Sequence, residues 1–453
     1  MRLLKYFDKG LEAGVRLHQF INYAIGVYGI GRMFARVVDG RRDPDITTGT
    51  VVRCLFMAAV LRVPSFNELE GLLADGRFQR LLGERGAKRY GKKLFSADVI
   101  VDVVDTIELR VLHAAMVELV KKAHANKVFR EDTYGSFITV ALDGWEPFCT
   151  YKRHCAGCLT RTITLKKKDE EGNEFKEKVT QYYHRFVVAL LIAPKLDLTL
   201  AIEPVLSNDL REDIPVKEAR HEGELTAALR LIDRLHQDYG CFIDAFALDG
   251  LYPCGPVFKK LTQYNYGAFI ITKNKKNDPY RFAESIWKHR DKPDETAVDP
   301  KTGEKVEFWF LKDVNALQSF DGAVDMLKAK VKRKNGTVGT WVMALVGKAK
   351  RASPLLALRI MRARWHIENA FHQWVTKWKL DHCYRHQPNA ITAIVHICAI
   401  AFNMMQLFFY KRLGKPRQGR KSTDTLVLCV KRMWLDISEL DGPVPWHLLL
   451  DTT

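Results

Sequence analysis

Two apolar, β-prone runs in this chain end on the same four residues, Ala141-Leu142-Asp143-Gly144 and Ala247-Leu248-Asp249-Gly250. Far downstream lies an amphipathic stretch reading Arg364-Trp365-His366-Ile367-Glu368. Two carboxylates at strand ends and one on a late helix meet only if the fold brings them together. Metal-dependent phosphoryl-transfer sites are built this way, because hard divalent cations prefer carboxylate oxygens and a pair of ions can clamp both the attacking and the leaving oxygen. Asp-Gly after a strand is by itself an ordinary turn signal. The repetition in matching context favours chemistry. So does the position of Glu368 among Trp365, Ile367, Ala370 and Phe371, where an unpaired carboxylate is costly to bury.

The 453 residues suffice for two or three domains, and a hydrophobic content of 47% is that of a globular chain with a substantial core. Lys and Arg number 71 against 53 Asp and Glu, a net charge of +18 that predicts attraction to a polyanion, with double-stranded DNA the expected partner. The basic residues are spread along the chain and not gathered beside one amphipathic helix, so a membrane surface is not expected as partner. Met1 to Lys9 lacks an uninterrupted apolar core of signal-peptide length, and the nine cysteines are irregularly spaced. Both features predict a reduced, cytoplasmic protein without a disulfide framework. Ile391 to Tyr410 is apolar for about the length of a membrane span, yet it holds His396, Asn403 and Gln406 and predicts a buried core helix.

Helical periodicity dominates residues 1–130, notably Gly49 to Leu61 and Val99 to Val120, with helix starts at Ser65 and Ser96. Short helices joined by basic turns such as Gly83 to Arg89 suit a DNA-binding bundle. From Ser136 the period changes to that of strands: Phe137 to Leu142, Tyr182 to Ile192 and Leu196 to Val205. A helix from Glu222 to Gln237, a strand from Phe242 to Leu248, a short helix and a strand from Gly267 to Ile271 follow. This order predicts an α/β, ribonuclease H-like mixed sheet flanked by helices, in which the first and fourth strands are neighbours and Asp143 meets Asp249. Residues 274–339, dense in Lys, Asp and Gly with one strand-like run at Val306 to Phe310, read as an insertion before the last catalytic helix. The catalytic core then spans 131–273 and 340–412, and 413–453 is a basic linker and tail.

On these residues the chain resembles insertion-sequence DDE transposases of the group with a large insertion before the final Glu. That group's signature is Tyr, two residues, Arg, three residues, Glu, six residues, Lys. Arg364 and Glu368 match it, whereas Met361 and Val375 occupy the Tyr and Lys positions. The resemblance implies a DNA-cutting and strand-joining enzyme using two magnesium or manganese ions, with Asp143, Asp249 and Glu368 as catalytic metal ligands. It implies a homodimer, since two DNA ends are joined, working at the nucleoid. Arg364 either pairs with a phosphate or orients the carboxylate. Lys379, on the face left by the missing Lys, is the candidate second phosphate contact. A catalytically inactive DNA-binding descendant and a nuclease that does not join strands remain as alternatives.

A second constellation, His154-Cys155-Ala156-Gly157-Cys158 with His184 a strand later, lies within the vocabulary of structural zinc, though not at the spacing of a common finger. His154, Cys155, Cys158 and His184 are the expected ligands, Cys149 a substitute, and free thiols in a reducing loop the alternative. A third cluster, Asp381 to His386, is expected to cap helices or touch phosphate.

Overall fold

A computed structural model describes residues 16–83, 93–168, 174–211, 221–272, 278–315, 317, 319–333, 335–413 and 429–437. The basic turn at 84–89 and most of the basic run at 411–421 lie outside the described residues.

The N-terminal part is helical: α1 (Leu17–Gly26), α2 (Ile30–Ala35), α3 (Thr48–Leu61), α4 (Phe66–Leu72), α5 (Gly76–Leu81), α6 (Ala97–Thr106) and α7 (Leu109–Ala125). Short polar residues set the starts. The Ser65 hydroxyl accepts from the Glu68 N–H at 3.1 Å, and the Asp75 carboxylate from the Arg77 N–H at 2.7 Å. The single periodic stretch expected from Val99 to Val120 is two helices. Ile107 turns to extended backbone (φ −61°, ψ 139°), and the next N–H, of Glu108, bonds the Val38 carbonyl at 3.0 Å.

Twelve strands follow among the described residues: β1 (Thr139–Trp145), β2 (Cys149–Thr150), β3 (Leu159–Lys168), β4 (Glu174–Tyr183), β5 (Phe186–Ile192), β6 (Asp197–Pro204), β7 (Ala245–Leu248), β8 (Gly267–Ile271), β9 (Glu295–Val298), β10 (Lys305–Val314), β11 (Val324–Lys332) and β12 (Val338–Val346). Nine of them form one sheet in the order β6-β5-β1-β7-β8-β12-β11-β10-β9. β5 is antiparallel to β1 and β6, while β7 runs parallel to β1 and β8 parallel to β7. The five-strand half, β6-β5-β1-β7-β8, is the ribonuclease H-like arrangement. Its inner strands β5, β7 and β8 are buried along their whole length, as continuous apolar runs covered on both faces must be.

The Lys- and Asp-rich segment departs from expectation. It supplies α10 (Asp278–Trp287) and three strands, not one, and these continue the core sheet outward from β12. In β11 the sequence Val-Asp-Met-Leu-Lys-Ala-Lys-Val-Lys hides a strand alternation under its charge, with Leu327, Ala329 and Val331 buried between lysines. A separate three-stranded sheet, β2-β4-β3, was likewise not anticipated. The β3–β4 hairpin is mostly exposed, so it carries no apolar pattern to read.

The remaining helices are α8 (Glu224–Tyr239), α9 (Gly255–Gln263), α11 (Pro354–Ala363), α12 (His366–Trp378) and α13 (Pro388–Leu413). By length and composition α13 alone among the described helices passes as a membrane span unless bent pairs are joined, but 89% of its apolar window is buried inside the protein. It packs on α3, α6, α7 and β6. Its Asn403 accepts from the Thr199 N–H at 2.8 Å and donates to the Thr199 carbonyl at 2.7 Å, pairing both backbone groups of one residue of the edge strand β6.

Candidate active site

The parallel pairing of β1 and β7 sets Thr139, Val140 and Ala141 opposite Ala245, Phe246 and Ala247. Continued two residues further, this register places Asp143 beside Asp249 at the same end of neighbouring strands. The repeated Ala-Leu-Asp-Gly is therefore two copies of one position in the sheet. The two glycines serve different needs. A Cβ on Gly144 would collide with the Glu224 carboxylate, whereas one on Gly250 would meet only the Ile271 carbonyl at 3.8 Å.

Glu368 arrives from the other direction. The stretch after Pro354 breaks between α11 and α12 at Arg364 and Trp365, leaving Glu368 in the first turn of α12, where the helix dipole favours an acid. Arg364 donates to Glu368 Oε1 at 2.6 Å and to Asp143 Oδ2 at 3.2 Å, so one guanidinium bridges the first strand acid and the helix acid. Of the two roles the sequence left open for Arg364, orienting the carboxylates is the one with contacts in the structure. Trp365, between them in sequence, is 57% exposed.

Burial pushes the Asp143 carboxyl up to about 6; Arg364 opposes this, and the charges of Asp249 and Glu224 add to it. Loss of water around the carboxyl is the main cause, and the neighbouring acids add to it. Glu224, at the start of α8, belongs to the same group: burial raises its carboxyl too, Asp249 adds to the rise, and Arg185 and the Tyr252 hydroxyl oppose it. The Tyr252 hydroxyl donates to Glu224 Oε1 at 3.2 Å, and Arg185 lies 3.5 Å from Oε2. Glu224, like Glu203 and Glu222, lies before Asp249 in the chain. Glu203 and Glu222 are indeed occupied elsewhere, by Arg230 and, for Glu203, Arg234 at 2.5 Å. The expected helix start fell on Glu222, whereas the helix begins at Glu224, so no local signal separated the two. All four clustered acids offer oxygen donors, which suit magnesium or manganese.

The signature departures have structural settings. Met361 is buried in α11, and Val375 lies half-buried on α12. Lys379 is exposed in left-handed backbone (φ 56°) at the end of α12, and no contact joins it to the acids.

The zinc expectation needs one correction. Cys155, Cys158, His184 and His386 bring four donor atoms within 4.8 Å of one another; His154 is not among them. Its ring stacks on Tyr182 instead, with centroids 4.9 Å apart. His386 was missed because it lies 228 residues from Cys158, in the turn between α12 and α13 expected to cap helices. Cys149 accepts a hydrogen bond from Gln181 at 3.1 Å and stays outside the group. All nine cysteines are free.

Residues 213–404 match the family model described as a transposase DDE domain, a span that contains Asp249 and Glu368 and begins after Asp143. The cryo-EM structure of a piggyBac transposase synaptic complex with hairpin DNA is similar across 100% of this chain and 86% of that one, at 10% identity and a TM-score of 0.40. No curated protein matches the sequence.

Proposed function

We propose that this chain, which carries a transposase DDE domain over residues 213–404, cleaves DNA at the ends of a mobile element and joins the freed 3′-hydroxyl to a target strand. In this reading Asp143, Asp249 and Glu368 would together hold two magnesium or manganese ions. Such ions supply an activated water or 3′-hydroxyl and a stabilised leaving oxygen. The protein's own part is positional. β1 and β7 hold two acids side by side, α12 brings the third, and Arg364 keeps Asp143 and Glu368 facing each other while neutralising part of their repulsion. The observation that carries the reading is the in-register pairing of two identical strand ends with a helix acid linked to the first of them by one arginine.

Double-stranded DNA is the proposed partner, supported by the +18 charge. The helical segment 1–130 is assigned to DNA binding, 131–273 and 340–412 to catalysis, and Lys379 to a phosphate contact. Trp365 offers an exposed ring on which an unpaired base can stack. Joining two ends calls for a homodimer, acting on DNA in the cytoplasm. The test is a labelled, pre-cleaved DNA end incubated with the protein in magnesium. Joined products support the reading. Cutting without joining marks a nuclease, and binding with neither marks an inactive DNA-binding descendant.

A further inference from the structure

We infer that Cys155, Cys158, His184 and His386 form a tetrahedral zinc centre that fastens the segment leaving the Glu368 helix to the strands beside Asp143. Zinc bonds of about 2.3 Å to sulfur and 2.0–2.1 Å to nitrogen, opened at tetrahedral angles, put two sulfurs about 3.8 Å apart and a sulfur and a nitrogen about 3.6 Å apart. The corresponding separations are 3.7 Å for Cys155 Sγ to Cys158 Sγ, 3.3 and 3.5 Å from these sulfurs to His184 Nε2, and 3.2 Å from Cys158 Sγ to His386 Nε2. Four donors already stand near the corners of the polyhedron, and two thiols with two imidazoles are a set that selects zinc over magnesium or calcium.

The surroundings are arranged for the same end. The Cys155 N–H donates to Cys158 Sγ at 3.3 Å, and the Cys158 N–H to the Cys155 carbonyl at 3.0 Å, closing a tight turn. Gly157 is required within that turn, because a Cβ there would lie 2.9 Å from Pro388 and 3.0 Å from His184 Cε1. The Phe148 ring packs on both imidazoles, at 5.9 and 6.1 Å between centroids, and shields them. On binding, both thiols give up their protons and ligate as thiolates.

The ligands come from three places: the β2–β3 turn, the link from β4 to β5, and the turn between α12 and α13. β5 is the strand whose Val188 pairs with Asp143. The residue before His386, Arg385, is bound to Asp105 of α6 at 2.7 Å. A single ion thus fixes α12, the partner strand of β1 and, through Arg385, the N-terminal helices.

Metal analysis of the purified full chain should find about one zinc per molecule. His386→Ala should lose nearly all of it, and His154→Ala should retain it. Replacement by cobalt(II) in the native protein should give the absorption of a tetrahedral ion with thiolate charge-transfer bands, a readout that needs no substitution to fold. Zinc-free protein that also gives no cobalt–thiolate spectrum overturns the centre, as does zinc lost in His154→Ala but kept in His386→Ala. The readout is independent of DNA joining, so the acid site stands or falls separately.

Discussion

The acid cluster and the Cys/His cluster stand at opposite ends of one stretch of chain, residues 364–386, and solve the problem of converging ligands in opposite ways. The Cys/His donors already sit at the edge lengths of a coordination shell. The carboxylates do not close on each other. Arg364 occupies the space between Asp143 and Glu368, and the Asp143 carboxyl is raised first by burial and then by the charges of Asp249 and Glu224. A resident ion and an exchanging one ask for this difference. The first rewards a preformed shell of soft, neutralisable ligands, the second an unfilled, oxygen-lined pocket.

The strongest way to break this contrast is to remove one site and measure the other. Asp143→Asn, Asp249→Asn or Glu368→Gln should lower DNA end-cleavage in magnesium on the order of a hundredfold or more while leaving DNA binding and zinc content unchanged. Full activity in Glu368→Gln, with loss in Glu224→Gln, would reassign the helix acid.

A third histidine of the same region sharpens the contrast, because it has neither metal nor acid. His396, one helix after His386, is fully buried, and burial lowers its pKa to about 4; its Nδ1 donates to the Thr392 carbonyl, while His113 and Arg234 repel a charge there. A folded pKa below the unfolded 6.5 means that the unfolded chain takes the proton first. Stability is therefore complete above pH 6.5 and falls by up to about 3 kcal/mol as pH drops to 4. Asp132 and Asp143, both raised to about 6 by burial, change in the opposite direction over this range. Denaturant unfolding at pH 7 and 4.5 should consequently show a smaller loss in His396→Leu than in the parent. Equal losses would remove the histidine from the account.

The smallest effect expected is at the bridge. Arg364→Ala should cost about 10- to 100-fold in cleavage, the range for groups that orient metal ligands, and raising magnesium should recover little of it. Unchanged cleavage would leave Arg364 as a packing residue.

The strand acids were legible because buried strands at an inner position of a sheet are written as apolar runs, and a polar residue closing such a run stands out. Glu368 was legible from its Arg-x-x-x-Glu spacing, which survives the break between α11 and α12. β3, β4 and β11 were not. Where one or both faces meet water, Lys and Glu replace the apolar signal, and pairing is decided by partners distant in sequence. His386 was illegible for a related reason, since the residue joining a Cys-x-x-Cys turn from 228 positions away is chosen by the route of the chain and not by local spacing.

Asn403 carries a consequence of another kind. A nine-stranded sheet ends in two strands whose outward N–H and C=O groups invite a second molecule to add on. On the β6 side one amide on the long apolar helix α13 answers the Thr199 N–H and C=O in both directions. An aliphatic residue at 403 would leave the helix as greasy as before and the acids where they are, but would strand the Thr199 N–H and C=O unpaired in a dry seam. The harm would then appear as lost stability and not as faulty chemistry.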